Sequence, residues 1–282
     1  MIGIITDSTC DIPSAMLEQY RIKVVPTLVI WGNEQFRDRI DLQPEDFYRR
    51  LATDPQRPSS STPSLPDFQA AYDCAMEQGA DELVVLTVSS AMSGVYQMAV
   101  SSSRHLKVPV TVIDSKGPTM SLGWQVLAAA RARDAGADVQ EMVHCAEMVR
   151  QQLMQLVYMD SLENLEKGGR IGQAVKWVGV ALHVRPVVSI NHQTGLVEPV
   201  GLARTRKSGV EMMYDKFVSF LQGKNKLHVA VLHGGALAEA EVLAQRIAQQ
   251  LNPKELMVNI TGPVLGIHTG PKALALCGYA EA

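Results

Sequence analysis

The chain has 282 residues, 46% of them hydrophobic and 20% charged, with a formal net charge of −3. A slightly acidic chain has no overall attraction for a nucleic-acid backbone or an anionic surface, and 5% aromatic residues leave few platforms for unpaired bases. The length suits two domains, and the apolar content is enough to bury a core and line an internal cavity.

The opening MIGIITDSTCDIP lacks a basic segment before its apolar run, so no secretory signal is expected. No stretch approaches the roughly 18 uncharged apolar residues of a membrane span. Cys10, Cys74, Cys145 and Cys277 are too scattered for a CxxC motif and fit buried thiols in a reducing compartment. The expectation is a cytoplasmic protein.

Ile2–Thr6 reads as a strand ending in the polar turn Asp7-Ser8-Thr9, with Pro13 in the first turn of a helix through Tyr20. Ile22–Trp31 reads as a β-branched strand, with Pro26 marking an edge or a bend. Pro44 opens a short helix to about Leu51, and a loop rich in proline and serine spans Thr53 to Pro66. Phe68, Ala71, Tyr72 and Ala75 then mark one face of a helix. Leu83–Val88 is a continuous apolar run, as in a buried parallel strand, and Ser89–Gly94 joins it to a helix starting near Val95. A strand at Val110–Ile113 and helices over Thr119–Ala135 and Val139–Leu153 follow. This alternation predicts an N-terminal α/β domain with a parallel sheet flanked by helices.

Near residue 160 the pattern changes. Leu162–Gly172 is glycine-rich and charged, and Val184–Ile190 and Leu196–Leu202 flank a hairpin loop at 191–195. Helices at Lys207–Leu221 and Leu237–Leu251 alternate with strands at His228–Leu232 and Leu256–Ile260. The expected domains are residues 1–160 and 161–282, the second an α/β domain with a mixed sheet.

No phosphate-binding loop, dinucleotide fingerprint, zinc-protease helix or nucleophile elbow is present, and the seven histidines do not fall at metal-ligand spacing. Three polar segments remain. Ser59-Ser60-Ser61-Thr62-Pro63-Ser64 could donate to an anion, or simply form a solvated loop that caps the next helix. Ser89–Gly94 lies where a buried strand hands over to a helix, the usual ligand position in an open α/β sheet. There the helix N-terminus and Ser93 would offer donors to an anion, with Gly94 allowing close approach; the alternative is that Ser93 only caps its helix. Gly262–Pro271 places His268 among glycines and prolines, on what reads as a constrained loop. No acidic partner for Ser93 or His268 can be read, so the set suits anion binding better than a nucleophilic triad.

These segments resemble the DegV family from one terminus to the other. Ile4–Thr9 is similar to its opening strand and turn, Ser61-Thr62-Pro63-Ser64 to its TS[QT]PS signature, and Ser89-Ser90 with Ser93-Gly94 and Tyr96-Gln97 to its SSxxSGTYQ signature. Val112–Ser115, LENLEKGGRIG at 162–172 and Gly266–Pro271 match further family segments. The resemblance implies a two-domain DegV-like (EDD) fold that binds a long-chain fatty acid such as palmitate, stearate or oleate, with no cofactor and no metal. The acyl chain would lie in a tunnel of the N-terminal domain, with the second domain contributing the His268 loop. Ser60, Ser61, Ser93 and His268 would bind the carboxylate, with Gly94, Thr269 and Lys272 as accessories. The resemblance further implies a carrier that is not an enzyme. It would present its lipid to a separate fatty-acid kinase, for acyl-phosphate formation and phospholipid synthesis, and would touch a membrane surface transiently. Arg170, after two glycines, is expected to face outward and dock the kinase.

Four family positions differ: Ser60 stands where the family usually has Thr, Ala91 where a charged or polar residue is common, Val95 replaces Thr, and Lys272 replaces Gly. The alternatives are a Ser93-dependent hydrolase or acyltransferase, with His268 as base, and a lipid-responsive regulator.

Overall fold

The computed structural model describes residues 1–177 and 184–281. Short apolar runs build the first sheet. β1 (Ile2–Asp7) ends in the 3-10 turn Ser8–Cys10, and α1 (Ser14–Gln19) follows. The run expected as one strand is two, β2 (Ile22–Val25) and β3 (Leu28–Trp31). The break falls at Pro26, which has no N–H to give a ladder. β2 pairs with β1, whereas β3 leaves to pair with β4 (Glu34–Arg37). α2 (Pro44–Thr53) has proline in its first turn and Glu45 and Asp46 at its positive end.

β5 (Ser59–Ser61) lies in the segment expected to be loop and pairs antiparallel with β3. The order β4-β3-β5 makes a small separate sheet. α3 (Leu65–Glu77) starts at a reciprocal cap between Ser64 and Asp67. β6 (Glu82–Thr87), α4 (Val95–Ser103) and β7 (Val110–Asp114) complete a parallel sheet of order β2-β1-β6-β7. β6 is buried from Leu83 to Thr87, as expected of a strand covered on both faces. α5 (Met120–Asp134) and α6 (Val139–Gln152) follow as expected.

β8 (Met154–Tyr158) already belongs to the second sheet, so the changeover comes before residue 160, directly after α6. α7 (Glu163–Lys167), β9 (Arg185–Asn191), β10 (Leu196–Ala203) and α8 (Arg206–Leu221) continue the chain. β11 (Leu227–His233), α9 (Leu237–Leu251), β12 (Glu255–Ile260), α10 (Pro263–Thr269) and β13 (Leu274–Ala280) complete it. The sheet order is β10-β9-β8-β13-β11-β12, parallel only between β11 and β12. The expected mixed sheet and the β9–β10 hairpin are both present.

α5 is wedged between the sheets and has ten buried residues, including Trp124. Arg131 on α5 meets Glu255 on β12 at 2.8 Å. One apolar core runs through both sheets, from Ile4 and Leu86 to Val157, Val188 and Leu232. A second core lies under α8 and α9. A third, much smaller, joins Val29 and Trp31 of the small sheet to Phe47 and Tyr48 of α2 and Val264 of α10.

Candidate functional site

A cavity of about 130 Å³ opens between the two sheets. By volume it has room for on the order of ten water-sized particles. Most of its wall is apolar: Val157 and Met159 from the β8 segment, Val188 and Ile190 from β9, Val197 from β10, and Leu232, Leu274 and Ala275 from β11 and β13. The first domain contributes Val88, Met92 and Pro118. This cavity lies between the first and second sheets and is walled largely by the second, whereas the expected tunnel was placed in the N-terminal domain. The physical reason is β-strand alternation. Residues 155, 157 and 159 share one face, and 188 and 190 another stretch of it, so a sheet with its second face on α8 presents these toward α5 and the first sheet.

Polar groups gather at one end. Ser60, at the centre of β5, has its hydroxyl 2.9 Å from His268 Nε2. His268 lies in the last turn of α10, not on a loop as expected. The glycines that made the segment read as loop have packing roles. A Cβ on Gly266 would come within 2.5 Å of Phe47, so this position lets α10 press against α2. Gly270, at φ 77°, ends the helix. Burial, and secondarily the Arg170 guanidinium, pushes the His268 imidazole down to about 4, so the ring is neutral near neutral pH. Its Nδ1 is buried with no hydrogen-bond partner among the described residues. A Cβ on Gly168 would lie 2.4 Å from that nitrogen, so only glycine permits this approach.

Ser61, Thr62, Ser93 and Thr269 also line the cavity. Ser93 precedes α4, whose N-cap is Gly94 and which has no side-chain cap bond. The helix-capping alternative for Ser93 is thus not what the structure shows, and a free helix N-terminus adjoins the cavity. Gly94 packs near Thr62, where an added Cβ would meet Cγ2 at 3.5 Å. Thr269 turns its hydroxyl back to the Leu265 carbonyl at 3.0 Å.

Two expected positions differ. Arg170 is half-buried and turned inward: Nε donates to the Met92 carbonyl at 2.9 Å, Nη1 donates to the Gly168 carbonyl, and the side chain lines the cavity. The paired glycines before it do turn the chain sharply, Gly169 having φ 70°, but the turn aims the guanidinium at the site. Lys272 is exposed and is not part of the cavity wall; its backbone N–H donates to the Gly234 carbonyl at 2.6 Å.

Sequence reasoning missed Thr9, Thr27, Thr119, Gln155 and Thr261, all on the cavity wall. A polar residue in step with Val157 and Met159 was a readable signal at Gln155. Beside the cavity, Arg39 donates to the Ile260 carbonyl at 2.9 Å and pairs with buried Asp11, which also accepts from Gly262 N–H at 3.0 Å. This buried ion pair ties the Asp7–Asp11 turn to the start of α10 and helps fix the helix that carries His268. Among the described residues, no group of three or more His, Cys, Asp or Glu could hold a metal ion, and no helix is long and apolar enough to cross a membrane.

An α/β protein with an apolar cavity between its two larger sheets, lined also by hydroxyls, an imidazole and a guanidinium, offers a site of amphipathic character. Solved structures share the whole architecture. A DegV family protein from Thermus thermophilus, described for its fatty acid binding, has a TM-score of 0.92 at 29% identity, covering 99% of both chains. A Thermotoga maritima protein, described as revealing fatty acid binding function, has a TM-score of 0.88 at 26% identity, again covering 99% of both chains. A DegV domain-containing protein of Mycobacterium tuberculosis is 33% identical over 278 residues, 98% of this chain and 96% of the relative. The sequence profile of the DegV family, described as "Uncharacterised protein, DegV family", matches residues 1–281. The chain belongs to the DegV family.

Proposed function

We propose that this protein binds one long-chain fatty acid, with the acyl chain in the inter-sheet cavity and the carboxylate at its polar end. The observation that carries this reading is the pairing of an apolar wall with the cluster of Ser60, His268 and Arg170 at one end. An apolar tail gains about 0.8 kcal/mol per buried CH₂, so the wall supplies most of the affinity. The carboxylate takes hydrogen bonds from Ser60, Ser61 and Ser93 and charge-assisted contact from Arg170. A neutral His268 donates through one ring nitrogen without the cost of a buried imidazolium. The relatives described as fatty-acid binding support this reading through an architecture shared end to end.

The protein acts as a carrier that presents its lipid to a separate fatty-acid kinase for acyl-phosphate formation and phospholipid synthesis. His268 pairs with Ser60, and its Nδ1, which a triad carboxylate would hold, has no partner among the described residues. That favours binding over acyl transfer. The test is native mass spectrometry of purified protein, then rebinding of palmitate, stearate and oleate after delipidation. One bound fatty acid per chain, released unchanged, is the expected result. Failure to retain or rebind any of them rejects the reading, and turnover of an acyl ester would make it an enzyme. Acyl-phosphate formation with a kinase added separates carrier from regulator.

A further inference from the structure

β11, α9 and β12 form a parallel strand–helix–strand unit at the edge of the second sheet. Such units hold ligands beyond the carboxyl ends of their strands. An open recess of about 570 Å³ lies at that place here, where β11 ends at His233 and β12 at Ile260. Gly235 and Leu237 line it from the turn into α9, and Glu45 and Arg49 line it from α2. Gly235 has φ 78°, and a Cβ there would meet Tyr48 at 3.4 Å, so the glycine lets α2 close onto this turn. None of the recess residues belongs to the wall of the cavity described above.

Two sets of donors meet there. α9 has 15 residues, and its N-cap is Ala236, so no side chain caps it. The N–H groups of Leu237, Ala238 and Glu239 have no partner among the described residues, which leaves the positive end of the helix open. Glu239, the acid in this first turn, is held by Arg206 at 2.8 Å. His233 supplies a donor independently of the helix. The residue is 5% exposed, and its Nδ1 accepts the Ala236 N–H at 3.3 Å. Burial pushes the imidazole below its ordinary value, so near neutral pH the ring is neutral and its one proton sits on Nε2. That nitrogen has no hydrogen-bond partner among the described residues yet keeps solvent access, on a ring that lines the recess. A donor left over on a buried side chain calls for an acceptor.

The recess also carries the opposite sign. Glu45 is exposed and near enough for its charge to act on the His233 ring, as does Glu241 on α9. Arg49 is already paired with Asp46 at 2.9 Å. A bare anion would therefore meet a repelling carboxylate, and a bare cation a helix N-terminus. Leu237, Val258 and Ile260 make an apolar part of the wall. We propose that this recess binds an α-amino acid with an apolar side chain. Its carboxylate takes the α9 N-terminus and the His233 Nε2–H, its ammonium faces Glu45, and its side chain lies on Leu237, Val258 and Ile260. The site does not depend on the fatty-acid reading above.

The test titrates L-leucine, leucinamide and isocaproate into the full-length protein by calorimetry. Leucinamide lacks the carboxylate and isocaproate lacks the ammonium. Leucine is expected to bind about tenfold tighter than either, the worth of one hydrogen-bonded charge. His233→Asn keeps an acceptor for the Ala236 N–H and removes the Nε2 donor. It should weaken leucine about tenfold and leave leucinamide unchanged. Glu45→Gln should bring leucine close to isocaproate. Cooperative thermal unfolding reports that each variant is folded. Should His233→Asn fail to fold, Glu45→Gln still decides, because Glu45 is exposed on its helix. No leucine binding at millimolar concentration overturns the proposal. So does isocaproate binding as tightly as leucine in the parent, or a leucine preference over isocaproate that survives Glu45→Gln.

Discussion

Two serine–histidine pairs occur among the described residues, and they differ in what surrounds them. Ser60 and His268 meet at 2.9 Å at the cavity end; Ser121 and His192 meet at 2.8 Å between α5 and the β9–β10 hairpin. Both imidazoles are pushed down to about 4, chiefly by burial. Ser121 is fully buried, and its oxygen also meets Gln155 and the Cys277 thiol. Ser60 is only half-buried, beside open space, and His268 keeps one nitrogen without a partner among the described residues. The same pair is packed among buried neighbours in one place and borders a cavity in the other. Residue identity and pKa do not separate the two roles; the adjoining space does.

The largest expected effect is on pH dependence. A histidine that titrates at 6.5 unfolded and about 4 folded binds fewer protons folded across that window. Stability is therefore lost as pH falls from about 6.5 to about 4, by up to about 3 kcal/mol per histidine, and then levels off. Denaturant unfolding of His268→Gln and His192→Gln should each show a shallower acid loss than the parent. Asp38, which burial holds up at about 6, shifts stability the opposite way in parent and variants alike, so the parent–variant difference isolates each imidazole. Bound fatty acid should alter the His268 step and leave the His192 step in place. Equal effects on both would dissolve the distinction.

Next in size is Arg170→Ala. Loss of a charge-assisted contact to the carboxylate should weaken fatty-acid binding by about 1.5–3 kcal/mol, measured by titration of delipidated protein. Unchanged affinity would return Arg170 to a role in docking. Ser121→Ala should then cost about 1–3 kcal/mol of stability, because it strands a buried ring nitrogen. Ser60→Ala should cost roughly 0.5 kcal/mol or less in the lipid-free protein, as a partly exposed group does. Thermal or urea unfolding of the two variants compares them directly. Smallest is Lys272→Ala: its ammonium lies outside the cavity wall, so fatty-acid affinity should stay within about 0.5 kcal/mol of the parent.

Much of the architecture was legible because it follows from local pattern. Continuous apolar runs marked β1, β6 and β11, and 3.6-residue periodicity marked α3. β4, β5, β8 and β13 escaped that reading. β5 is three serines, with no apolar alternation to betray it, and it forms only because β3 offers a free edge. α10 was hidden by its glycines and proline, which serve a helix start, a tight helix contact and a helix end rather than a loop. Ser60, Ser61, Ser93 and His268, which line the cavity, stood out as members of short polar motifs. The inward turn of Arg170 was not, since Gly168-Gly169 permits the chain to turn either way and only the Met92 and Gly168 carbonyls decide it. Gln155 and Thr119 were missed for a related reason: only the packing of α5 against β8 brings them to the cavity wall.

The small third core has a bearing on how such a protein diversifies. β5, with its serines, and α10, with His268, rest on Val29, Trp31, Phe47, Tyr48 and Val264. Val157, Val188, Ile190 and Val197, which wall the tail, belong to the large core through both sheets. Substitutions at Val157, Val188, Ile190 or Val197 leave Val29, Trp31, Phe47 and Tyr48 alone, and only Val264 belongs to both the third core and the cavity wall. The shape of the apolar wall and the placing of Ser60 and His268 can thus drift largely separately across generations, and an engineer can retune one while inheriting the other, with Val264 as the shared position.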